Sequence, residues 1–269
     1  MTTLFESPQL NDRLFFPRRE ITPPPPGARD EMMAVAPGIR LHCRIYAAGQ
    51  PRFRLLYFHG NGEVIADHDA VFPAFARLGA RWIVCDYRGY GRSEGRPTLP
   101  HALSDAVSLF EAFSAVDDPL PLAVMGRSLG SAPAIEVGVR FPEAVAALVI
   151  ESGYADPLGL ARRRGLPVEG VPPAVAEPYD NAGKIRRVRC PLLVMHGALD
   201  RLIEPAEARL NFRQAARSIR KELVILEGVG HNDILSAPQN GYFRTLDRFF
   251  GQALPRPGSP PFIGTDHSD

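Results

Sequence analysis

Charge of one sign is what this chain most plainly lacks. Its 31 Lys and Arg stand against 30 Asp and Glu, a formal net charge of +1. That balance gives no basic face for a nucleic acid or an anionic membrane surface. Long hydrophobic runs are missing too. The run AVAALVI (144–150) suits a buried strand and falls far short of the roughly 18 residues of a membrane span. No integral membrane association is expected. The first twenty residues hold no basic segment followed by an apolar one, so no secretory signal is expected either. Cysteine is scarce. Cys43, Cys85 and Cys190 cannot all pair, and no C-x-x-C or metal-like spacing joins them. They read as buried small hydrophobes in a reducing, cytoplasmic setting. Neither a metal nor an organic cofactor is expected.

What is present is an alternation of strands and helices over a length that suits one large α/β domain. Residues 1–30 read as an irregular N-terminal extension, stiffened by Pro23 to Pro26 and pinned to the domain by Leu14, Phe15 and Phe16. The stretch EMMAVAPGIRLHCRIYAAG (31–49) reads as a hairpin about a Pro-Gly turn. Strands are then expected at 54–60, 81–87, 120–126, 146–153, 191–197 and 221–228. Between them the spacing predicts helices over 67–79, with Asp67 as cap and Gly79 as stop, 99–113, 131–143 and 204–218, with a last one near 237–252. The alternation breaks at 154–189, where prolines and the run Arg162-Arg163-Arg164 suggest a short cap inserted into the domain that spans 31–252. A Pro/Gly-rich tail, 253–269, is expected to be flexible.

Repeated β-α units with near-continuous apolar strands predict a mostly parallel sheet covered on both faces. Right-handed crossovers bring the C-terminal ends of the strands to one edge, where such sheets hold their chemistry. The reactive residue types fall at those ends. Gly126-Arg127-Ser128-Leu129-Gly130 turns an apolar strand into a helix. Glycine on either side removes the Cβ atoms that would block so sharp a turn, and leaves the serine oxygen exposed at the strand end.

Serine needs a base, and the base needs a third group to orient it. Asp200 follows the strand LLVMHG, and His231 follows LVILEGVG. The assignment is Ser128 as nucleophile, His231 as general base and Asp200 as the acid that fixes the histidine tautomer. Glu227 is the rival acid, but it lies too close to His231 in sequence. A developing oxyanion needs N–H donors. Leu129, directly after the nucleophile, offers one main-chain N–H. Asn61, in His59-Gly60-Asn61-Gly62, offers the other. His59 and His196 read as structural, without partners for a metal. Asp86 and Arg88 read as holding their tight turn, and Arg162 to Arg164 as a solvated face. The glycines of DYRGYGRSEG lack the Lys-Ser/Thr of a phosphate loop.

Six stretches carry a family resemblance: FFPRR (15–19), FHGNGE (58–63), CDYRGYGRSEGRP (85–97), GRSLGSAPA (126–134), HGALDRLIEP (196–205) and GVGHNDI (228–234). With them the chain resembles the α/β-hydrolases, in the branch of monoacylglycerol-lipase-like enzymes and protein depalmitoylases. The order Ser128, Asp200, His231 is the order of that fold. The resemblance implies an eight-stranded, mostly parallel sheet with helices on both faces and a short cap. It implies a serine hydrolase acting on a small acyl ester or thioester through an acyl-enzyme. An acyltransferase, a small-amide peptidase and a non-catalytic hydrolase-fold binding protein are the alternatives. The complete set of three residues argues against the last.

Overall fold

Leu55 and Tyr57 of β3 (Phe53–Phe58) belong to one hydrophobic core, Leu56 and Phe58 to another, and all four are buried. Successive side chains of a strand point to opposite faces, so β3 is covered on both sides. A computed structural model describes residues 7–47, 49–163, 170–235 and 241–254, together with Phe5, Gly165 and Val168. Eight strands form one sheet in the order β1-β2-β4-β3-β5-β6-β7-β8. Its first two members, β1 (Ala28–Ala36) and β2 (Ile39–Tyr46), are the expected antiparallel hairpin. The strand β2 pairs antiparallel with β4 (Ala80–Cys85). From β4 onward every pairing is parallel, through β3, β5 (Leu122–Arg127), β6 (Leu148–Glu151), β7 (Leu192–Gly197) and β8 (Lys221–Leu226).

Helices lie on both faces. On one, α3 (Leu99–Ser114), α4 (Ser131–Arg140) and α8 (Pro205–Gln214) pack into the core that holds Leu56, Val124 and Ile150. On the other, α2 (Phe72–Arg77) and α9 (Tyr242–Ala253) pack into the core of Tyr57, Met125 and Val149. Residues 154–189 form α5 (Pro157–Arg163), α6 (Pro173–Ala176) and α7 (Asn181–Lys184), with 3₁₀ turns at Glu177–Tyr179 and Ile185–Arg187. Arg164 and Pro167 of that insertion, residues 236–240 and the tail from 255 lie outside the described residues.

Three expectations change. The N-terminal extension is not irregular: Pro8–Leu14 is a helix, α1, with Ser7 Oγ accepting the Leu10 N–H at 3.3 Å and Pro8 at its first position. The helix expected over 67–79 is two pieces, a 3₁₀ turn at Ile65–His68 and α2. Pro73 explains the break, since it cannot donate inside a continuing helix and sits comfortably at the start of a new one. Asp67 turns its carboxylate to the Val64 N–H at 3.0 Å instead. The helix expected over 204–218 stops at Gln214.

The second core carries a testable charge. His68 is fully buried edge-on to Trp82 and Tyr57, whose ring centroids stand 5.7 and 5.2 Å away. Burial pushes its imidazole down to about 4, against the pull of Glu63. The unfolded ring takes up its proton near 6.5, so as pH falls below that value the unfolded state gains protons and the folded state does not. Stability is full above about pH 6.5 and declines toward pH 4, by about 3 kcal/mol from this group. Urea midpoints at pH 7 and 4.5 should fall further for the wild type than for His68→Phe. Equal losses would rule out His68 as the source.

Candidate active site

The turn from β5 into α4 is built by contact. A Cβ on Gly126 would collide with the Gly130 carbonyl, and a Cβ on Gly130 with the Phe58 carbonyl. Between them Ser128 takes φ of 54°, the left-handed region that a non-glycine residue adopts at a cost. Ser131 Oγ donates to the Ser128 carbonyl at 2.6 Å and ties the turn to the helix. The strained backbone stands Ser128 Oγ off the strand end. Ser128 Oγ and His231 Nε2 lie 2.9 Å apart.

His231 and Asp200 approach from the loops after β8 and β7. The Leu199 N–H donates to the Val229 carbonyl at 2.8 Å and braces the two loops, while the Gly230 N–H donates to Asp233 Oδ1 at 2.6 Å within the second. His231 Nδ1 stands 2.7 Å from Asp200 Oδ2. The other Asp200 oxygen accepts the Leu202 and Ile203 N–H groups, each at 2.9 Å. Burial pushes the Asp200 carboxyl up, but His196, His231 and the Ile203 N–H outweigh it and hold it well below the usual carboxylate range. Glu227, the rival acid, is exposed just beyond β8.

Leu129 lies in the first turn of the 3₁₀ segment Ser128–Gly130, where leading N–H groups have no intrahelical acceptor. Asn61 faces the same pocket, and both ends of its side-chain amide are engaged. Its Oδ1 accepts the Tyr90 hydroxyl at 2.6 Å and the Phe16 N–H at 3.1 Å, and its Nδ2 donates to the Leu14 carbonyl at 2.5 Å. His59 Nδ1 lies 2.8 Å from the Gly60 carbonyl, and the Tyr87 hydroxyl donates to the His59 carbonyl at 2.7 Å. Asp86 accepts the Ile65 N–H at 3.0 Å, and Arg88 pairs with Asp105 at 2.6 Å. Among the described residues no cluster of three His, Cys, Asp or Glu could hold a metal, and no helix is long and apolar enough to cross a membrane.

The model of the serine aminopeptidase S33 family matches residues 49–160. Human alpha/beta hydrolase domain-containing protein 17B is 26% identical over 83% of this chain and 75% of its own length. Among solved structures, the Pyrococcus furiosus esterase Pf2001 superposes with a TM-score of 0.70 at 16% identity, over 89% of this chain and all of that one. Est1E from Butyrivibrio proteoclasticus, bound to ferulic acid, gives 0.68 at 18% identity, over 80% of this chain and 96% of that one. The chain has the α/β-hydrolase fold.

In this α/β-hydrolase fold the candidate site opens into a cavity of about 360 Å³. The inserted segment supplies part of its wall, through Pro157, Leu160 and Ala161 of α5. The N-terminal segment supplies the facing part, through Phe5, Leu10, Leu14 and Phe16. Sequence reasoning missed that wall. Its signal was Ser7-Pro8, a cap followed by a first-turn proline, ahead of the apolar Leu10 and Leu14. The arginines of the insertion do not share one fate. Arg163 pairs with Glu207 at 2.5 Å, whose other oxygen accepts the Ala155 N–H at 2.8 Å. Arg162 is exposed.

Proposed function

We propose that this chain of α/β-hydrolase fold is a serine hydrolase cleaving carboxylic esters or thioesters through an acyl-enzyme, with Ser128, His231 and Asp200 as its triad. One observation carries the reading: Oγ to Nε2 at 2.9 Å and Nδ1 to Oδ2 at 2.7 Å, at the end of an apolar cavity. His231 takes the serine proton as Oγ attacks the carbonyl carbon, and returns it to the leaving group. Asp200 keeps the Nδ1 tautomer and stabilises the imidazolium. The main-chain N–H groups of Asn61 and Leu129 are the oxyanion donors. Water then hydrolyses the acyl-enzyme by the same route. The unpaired, buried cysteines fit a reducing, cytoplasmic setting.

An aminopeptidase reading has less support. A substrate's free ammonium needs an acceptor, and among the described residues the one acidic side chain on the cavity wall, Glu63, is already paired with Arg127. The test is labelling by a fluorophosphonate, then hydrolysis of p-nitrophenyl esters of increasing chain length beside matched thioesters. Absence of labelling on folded protein would turn the reading toward a binding module.

A cavity of about 360 Å³ between two apolar walls suits a short or medium acyl chain. Leu160→Trp, which fills it from α5, should lower kcat/KM about tenfold for esters of about eight carbons and spare those of about four. A wild-type preference for about sixteen carbons over about four, on matched leaving groups, would overturn the small-cavity reading.

A further inference from the structure

One side chain ties together three of the segments that carry the proposed chemistry, those of Ser128, His231 and Asn61. Arg127 precedes Ser128 at the end of β5 and is buried. Its Nε donates to Glu151 Oε1 at 3.0 Å, and one terminal nitrogen donates to the His231 carbonyl at 2.7 Å. The other terminal nitrogen pairs with Glu63. Glu63 passes the contact on, because its second oxygen accepts the Gly60 N–H at 2.8 Å, next to Asn61. Glu151, at the end of β6, accepts the Tyr242 hydroxyl at 2.7 Å, at the start of the helix that follows the His231 loop. Gly60 leaves room for this arrangement. A Cβ there would stand 2.6 Å from Arg127 and 2.8 Å from Glu63.

A guanidinium suits the task because its planar fork serves several acceptors in fixed directions, which a lysine ammonium on a flexible stem does not. Fold stability alone is a poor reason to keep it, since a buried ion pair often contributes no more than well-packed apolar residues would. We infer that Arg127 is a positioning residue. It sets the spacing of Ser128, the His231 ring and the Asn61 loop, acting through Glu63 and the His231 carbonyl rather than on the reacting atoms. The inference rests on the reading of Ser128 as nucleophile.

The test compares Arg127→Lys, Glu63→Ala and Ser128→Ala with the wild type on one p-nitrophenyl ester. The readouts are kcat and KM per folded molecule, with folding followed by circular dichroism and thermal melting. Misplacement of reacting groups by about 1 Å costs on the order of a hundredfold, so Arg127→Lys should lose about that much in kcat with KM within about threefold. Glu63→Ala removes the link from Arg127 to the Gly60 N–H beside Asn61 and should lose about tenfold or more in kcat. A folded Arg127→Lys or Glu63→Ala enzyme with kcat within about threefold of wild type, or a loss confined to KM, would overturn the inference. Should the lysine variant fail to fold, Glu63→Ala decides alone, because the Glu63 side chain is 24% exposed and belongs to neither hydrophobic core. Turnover that survives Ser128→Ala would instead remove the nucleophile reading itself.

Discussion

Ser128→Ala should give a folded protein that no fluorophosphonate labels, with turnover reduced by about a millionfold. The loss is large because the three residues of the proposed triad would act as a unit. Without Oγ, the His231 and Asp200 pair has no proton to move and no nucleophile to activate. What remains is the oxyanion donors and substrate binding, which speed attack by water only modestly. The fold should persist because the hydroxyl's own contact is the one to His231 Nε2, whereas the turn is held by the Gly126 and Gly130 approaches and by Ser131. Alanine keeps the same left-handed φ at a similar cost, so thermal melting should barely change. Labelling of the alanine variant at the wild-type rate would show that another residue carries the nucleophile.

The sheet was legible because parallel strands covered on both faces need near-continuous apolar runs, and glycines or prolines punctuate them. β7 and β5 show this well, since each is buried at every position. The positions proposed for catalysis were legible for a related reason. Each follows a strand in a turn rich in glycine, where a side chain has few structural uses. What was hidden depends on distance in sequence. Pro73 splits a helix that apolar spacing alone would run straight through. Leu10 and Leu14 gain their meaning only when α1 docks across the cavity from α5, about 150 residues later in the chain, through bonds such as that from the Leu99 N–H to Asn11 at 3.0 Å. Arg127 fills the variable position of its motif, and its partners Glu63, Glu151 and His231 come from three other segments. No periodicity marks such a side chain. A charged residue ending an otherwise apolar strand was the available sign, since burial of that charge requires partners.

Asp200→Asn should cost roughly ten-thousandfold in turnover while leaving the site's shape unchanged. The geometry gives the reason. One oxygen of Asp200 accepts two main-chain N–H groups, from Leu202 and Ile203. An asparagine at this position must turn its carbonyl oxygen toward those donors, because its amide nitrogen cannot accept. Its NH₂ then faces His231 Nδ1, where the carboxylate oxygen had stood at 2.7 Å. The ring responds by accepting at Nδ1 and carrying its proton on Nε2, the atom that faces Ser128 Oγ. A protonated Nε2 cannot take the serine proton. The imidazolium formed during attack also loses its counter-charge, from a carboxyl that is held ionised far below neutral pH. Glutamate at 227 offers no substitute, as it is exposed and outside this contact. The measurement is kcat on a p-nitrophenyl ester beside Glu227→Gln, which should stay within about threefold of wild type. A loss below about tenfold in Asp200→Asn would reassign the acid, and a large loss in Glu227→Gln would name its replacement.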